Sequence, residues 1–174
     1  MWYKSYGTAV GGTEANILVQ TQNIYDQLRC GPRSFDFRPS WQNDKQERVN
    51  IHMDKVLPIG SAGWLGGTGA TIEECITQIN DFTSAHPELI VVNISTFHEV
   101  LHNGDRLPDS KIVEVLNMFK RLNHISFKKA EHGGDPCSRT LRDFIGSKQA
   151  SVLVVVDQTD VSDQKIIEDA GSSH

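Results

Sequence analysis

Basic charge, long apolar runs and paired cysteines are scarce in this 174-residue chain. Its 17 Lys and Arg stand against 22 Asp and Glu, and the net charge of −5 argues against a nucleic-acid-binding surface. The local basic pairs, Arg139 with Arg142 and Lys128 with Lys129, read as solvated surface charge. No apolar run approaches the roughly 20 residues of a membrane-spanning helix. The opening "MWYKSYGTAVGG" lacks the basic-then-apolar order of a signal peptide, so the sequence leaves the compartment open. Cys30, Cys75 and Cys137 follow no metal-knuckle spacing; one disulfide and three free thiols are both open readings. Internal repeats, low-complexity tracts and linkers are missing too. What is there, 38% hydrophobic and 22% charged residues, is the composition of one globular domain over residues 1–174.

Along the chain, "NIYDQLRCGP" predicts a short helix with Asn23 as N-cap and Gly31-Pro32 as its stop. "RSFDFR" predicts a strand with Phe35 and Phe37 on one face and Asp36 and Arg38 on the other. "RVNIHMD" predicts a second strand, in which Asn50 and His52 share a face. "KVLPIGSAGWLGGTGA" is rich in glycine and reads as a loop or a loose hairpin. From Thr71, capping-box spacing to Glu74 and the stripe Ile72, Cys75, Ile76, Ile79 and Phe82 predict an amphipathic helix. "ELIVVNIS" and "ASVLVVVD" read as strands buried on both faces. Between them lie a helix, "DSKIVEVLNMFKRL", with Ile112, Val113, Leu116 and Phe119 inward, and a short helix that Gly146 stops. Apolar strands alternating with amphipathic helices place the chain in the α/β class, as a parallel sheet or barrel.

In such folds chemistry gathers at the carboxyl ends of the strands, where Asp36, Arg38 and His52 fall. A carboxylate beside the arginine lowers the cost of burying either charge. An arginine so held suits a phosphate, and a nearby histidine can move a proton to or from oxygen. The plainer reading is a structural ion pair and a surface histidine. "HEVLH" matches the zinc-protease pattern: on a helix, His98 and His102 would bind Zn²⁺ with Glu99 as base. Barely one turn separates the preceding strand from "NGD", and Asp105 stands where the extended motif needs glycine. "GWLGGTG" lacks the lysine of a phosphate-binding loop, and Glu73 and Glu74 would repel an anion there. Ser61 in "GSAG" has the wrong glycine spacing for a nucleophile elbow. His86, His124, His132 and His174 fall in loop contexts and read as surface residues.

Taken together, "IYDQLRCGPRSFDFRP", "IHMD" and "TIEECITQINDFTSAHPELIVVNIS" resemble the X-domain of phosphatidylinositol-specific phospholipase C. The likeness is to its bacterial and fungal branch of phospholipase-C-like phosphodiesterases, and it runs from about Thr13 to Asp157. It implies a distorted TIM barrel and cleavage of a phosphodiester in a phospholipid or related substrate. It also implies peripheral membrane contact. In the family, one histidine activates a neighbouring hydroxyl that attacks phosphorus, and another protonates the leaving alcohol. By that resemblance Asp36 and Arg38 match the strand motif, His52 matches the second histidine, and Arg38 binds the phosphate. Because Arg38 stands where calcium-dependent relatives carry an acidic ligand, neither metal nor cofactor is implied. Ser95 or Thr96 stands where bacterial relatives often carry lysine, which leaves the head group open.

The family's first histidine lies in a "TH-[DN]-[SA]-G" turn that this chain lacks. Its absence implies weak or absent activity, and four strands where a barrel needs eight imply about the first half of one. A non-catalytic remnant or anion-binding module is the alternative from another class. Open strand edges would favour self-association.

Overall fold

The computed structural model describes residues 5–6, 21–41, 49–52, 67–95, 97–99, 106–126, 136–146 and 148–156. It is a mixed α/β fold. In chain order the elements are β1 (Ser5–Tyr6), α1 (Ile24–Cys30), β2 (Ser34–Phe37), β3 (Pro39–Trp41), β4 (Val49–His52) and β5 (Gly67–Thr71). There follow α2 (Ile72–Ala85), β6 (Leu89–Ile94), β7 (His98–Glu99), α3 (Asp109–Phe119), a 3₁₀ turn (Pro136–Ser138), α4 (Leu141–Ile145) and β8 (Ser151–Val156).

The helix boundaries follow from their caps. Asn23 accepts a hydrogen bond from the Asp26 backbone N–H at 2.8 Å, which fixes the start of α1. Gly31 ends it in a left-handed conformation, φ 117°, that other residues rarely adopt. Thr71 closes β5 and caps α2: its hydroxyl accepts from the Glu74 N–H while the Glu74 carboxylate accepts from the Thr71 N–H. The expected stripe of α2 is buried throughout. On α3 the inward row is Ile112, Val115, Leu116 and Phe119, with Val113 only partly buried, so the stripe turns slightly from the expected one. Thr140 and Asp143 form a second capping box at α4.

Two sheets result. β2, β6 and β8 form a three-stranded parallel sheet whose spatial order is the chain order. β1, β5, β4, β3 and β7 form a mixed five-stranded sheet. Of the glycine-rich stretch only Gly67–Ala70 is described, in β5, which pairs antiparallel with β4; residues 53–66, and the expectation for them, lie outside the described ones. In the parallel sheet Phe35, Phe37, Ile90, Val92, Ile94 and Val152 face the helical core, where Phe37 packs on Phe119 at 5.9 Å between ring centroids.

The expectation that β6 and β8 are buried on both faces does not hold. β6 alternates, with only every second residue fully buried, and Val155 of β8 is 40% exposed. A run of β-branched residues reports strand propensity and one packed face; it does not by itself require a second layer.

Candidate functional site

The site is built where the parallel ladder breaks. Asp36 and Asn93 are in register on β2 and β6, and Phe37 pairs with Ile94 one step on. The last ladder bond runs from the Ser95 N–H to the Phe37 carbonyl, at 2.9 Å. Pro39 then offers no N–H, and β3 turns to other partners. It pairs antiparallel with β4 and parallel with β7. Phe37 stands opposite Ile94 in the parallel sheet, and Ser40 stands opposite His98 in the mixed one.

Asp36 is the hub. The Asn93 amide donates to its Oδ1 at 2.9 Å and the Ser95 hydroxyl donates to the same oxygen at 2.8 Å. Arg38 Nε donates to Oδ2 at 2.8 Å. The carboxylate is thus held at both oxygens, and it fixes the plane of the guanidinium. Arg38 and Asp36 keep side-chain exposures of 33% and 40%, so the pair opens to solvent. Its pairing, its shared face and its place at the carboxyl end of a parallel strand are as the sequence predicts. Asn93 is the residue that sequence reasoning passed over. Its signal was there: a lone carboxamide interrupting "IVVNIS". Ser95 is 8% exposed, and its hydroxyl is turned to Asp36.

His52 closes β4, and its side chain lies outside the described residues, as does Thr96. Its backbone position is informative. The β3–β4 register runs Trp41↔Val49, Ser40↔Asn50, Pro39↔Ile51. It ends there, and His52 stands opposite Thr68 of β5, past an irregularity in the register between Asn50 and His52.

The zinc motif takes a different form from the one required. His98 and Glu99 form an extended strand, β7, so the shared helical face for two ligands is not made; His102 lies outside the described residues. Among the described residues no group of three His, Cys, Asp or Glu could hold a metal ion. His86 is half-buried and stacks on Phe82 at 4.3 Å, so it packs where the sequence had suggested a surface residue. His124 is exposed with φ 62°; His132, His174, Lys128 and Lys129 lie outside the described residues.

Away from the site three titratable groups are shifted, among them Asp143, which hydrogen bonds from the Thr140 backbone and hydroxyl hold below its usual range. The Arg33 hydrogen bond holds the Glu88 carboxyl below its usual range, against a smaller opposing effect of burial. Burial pushes the Cys75 thiol far up, with the Glu74 charge adding to it, so this thiol stays protonated and unreactive. No disulfide joins Cys30, Cys75 or Cys137. No helix among the described residues is long and apolar enough to cross a membrane.

Compared with protein-family models, with curated proteins and with solved structures, the chain matches none.

Proposed function

We propose that the chain is part of a phospholipase-C-like phosphodiesterase barrel, and that Arg38, Asp36 and His52 form its phosphoryl site. Arg38 binds and polarises the phosphate, Asp36 orients Arg38, and His52 moves a proton on or off a reacting oxygen. The single observation that carries this is the Asp36–Arg38 pair, anchored by Asn93 and Ser95 at the carboxyl end of the parallel sheet. The β3–β4 register supports it by pairing Pro39 with Ile51, the chain neighbours of Arg38 and His52.

A partial barrel accounts for two features of the sheet. Sequential parallel strands lie side by side in a (β/α) barrel, as β2, β6 and β8 do. The face away from the helices becomes the barrel interior, and here that face carries Asp36 and Asn93 beside Val91, Leu153 and Val155. Its partial exposure favours closure by further strands or by a second copy.

The substrate class is a phosphodiester, as in phosphoinositide head groups. The test is incubation of the purified chain with phosphatidylinositol vesicles. The expected result is slow release of phosphorylated head group, insensitive to chelators. Absence of both head-group release and inorganic-phosphate binding would contradict the reading.

A further inference from the structure

The phosphoryl site rests on Arg38, whose guanidinium is already paired with Asp36 at 2.8 Å. The ion pair carries no net charge, so an anion held there gains from a second donor. We propose that Asn93 is that donor: its carboxamide holds Asp36 with one N–H and binds the phosphate with the other. The inference rests on the phosphodiesterase reading and adds a ligand-contacting residue to its site.

Register brings the two donors together. Asp36 and Asn93 are paired on neighbouring parallel strands, so their side chains leave one face of the sheet about 4.8 Å apart. Arg38 Nε donates to Asp36 Oδ2, and Asn93 Nδ2 donates to Oδ1. Guanidinium and carboxamide thus flank one carboxylate, each a single hydrogen bond from it. Those two nitrogens are therefore at most about 8 Å apart. A phosphate that accepts from both through two of its oxygens reaches across a gap of that size.

Asn93 has a donor to spare and Ser95 does not. A carboxamide carries two N–H groups and one acceptor oxygen. Only its nitrogen can face a carboxylate, so the bond to Asp36 fixes which way the amide points. Among the described residues the rest of this carboxamide makes no hydrogen bond. The buried side-chain atoms without a partner belong to Ser126 and Ser151, so the unbonded end of the Asn93 amide opens to solvent. Ser95 donates its one O–H to the same Asp36 oxygen and is 8% exposed. It anchors the carboxylate and has nothing left for a ligand. Beyond Asn93 the row continues to Val155, an exposed apolar side chain, so no second carboxylate stands there to repel the anion.

The two anchors supply the control for the test. Asn93→Ala and Ser95→Ala each remove one donor from one Asp36 oxygen, so a role in positioning alone predicts equal losses of inorganic-phosphate affinity. Direct contact predicts a fall of about 10- to 100-fold for Asn93→Ala, the worth of a hydrogen bond to a charged group, and no more than about threefold for Ser95→Ala. Calorimetric titration of the folded variants reads both. Equal losses, or none for Asn93→Ala, overturn the proposal and leave the phosphodiesterase reading in place.

A second measurement needs no variant. The parent chain, ¹⁵N-labelled in its asparagine and arginine side chains, is titrated with inorganic phosphate. The expected result is that Arg38 Nε–H and the Asn93 N–H that Asp36 does not hold shift along one saturation curve. Movement at only one of the two residues, or only at the Asn93 proton held by Asp36, overturns the proposal alone. No movement at either residue removes the phosphoryl site and the proposal with it.

Discussion

Asn93 stands in register with Asp36 on the adjacent parallel strand, and its amide donates to the same carboxylate oxygen that accepts the Ser95 hydroxyl. Two donors converging on one atom cannot be independent. Asn93→Ala and Ser95→Ala should each cost about 1 kcal/mol. The double variant should cost less than their sum, with a coupling energy of at least about 0.5 kcal/mol. Denaturant midpoints of the four chains measure it; strict additivity would show that the shared oxygen does not couple them.

Arg38→Lys keeps the charge and discards the planar fork that Asp36 orients. Phosphate affinity should fall at least about tenfold, because an ammonium cannot present two parallel donors. Calorimetric titration with inorganic phosphate reads this. Unchanged affinity would mean that charge alone, and not oriented geometry, binds the anion.

Much of this region was legible in the sequence, and the part that was not has a physical cause. Alternation in "SFDF" placed Asp36 and Arg38 together, and period-two patterning is a local property. Asn23, Gly31 and the Thr71–Glu74 box set the ends of α1 and α2, because capping is also local. Pairing is not local. That the chain leaves the parallel sheet after Phe37 and that β7 takes up position beside β3 depend on partners some 58 positions away along the chain, such as Ser40 and His98. The strand at Gly67–Thr71 was hidden because glycine signals turns, whereas here it extends along β4.

Thr71→Ala removes the hydroxyl that accepts the Glu74 N–H at 3.1 Å and breaks one side of the α2 capping box. The expected loss is about 1 kcal/mol of stability with the denaturant m-value unchanged. A smaller midpoint shift than about 0.3 kcal/mol would show that β5 alone fixes the start of the helix.

Glu88→Gln tests the ion pair with Arg33, whose guanidinium also lies 4.9 Å over the Phe82 ring. Because folding lowers the Glu88 pKa from 4.5, its contribution is fully present above that value. It is lost as the pH falls through the lowered folded value. The parent should therefore exceed the variant in stability at pH 7, and the two should converge in strong acid. Glu88 is 40% exposed, which limits the difference to about 0.2–1 kcal/mol. A gap that widens in acid would reverse the sign and refute the assignment.

The account turns on a histidine working beside an oriented arginine at one phosphoryl group. The most direct measurement is the initial rate of phosphodiester cleavage by His52→Ala against the parent chain, both shown to be folded. A fall of about 10²- to 10⁴-fold is predicted; equal rates would contradict it.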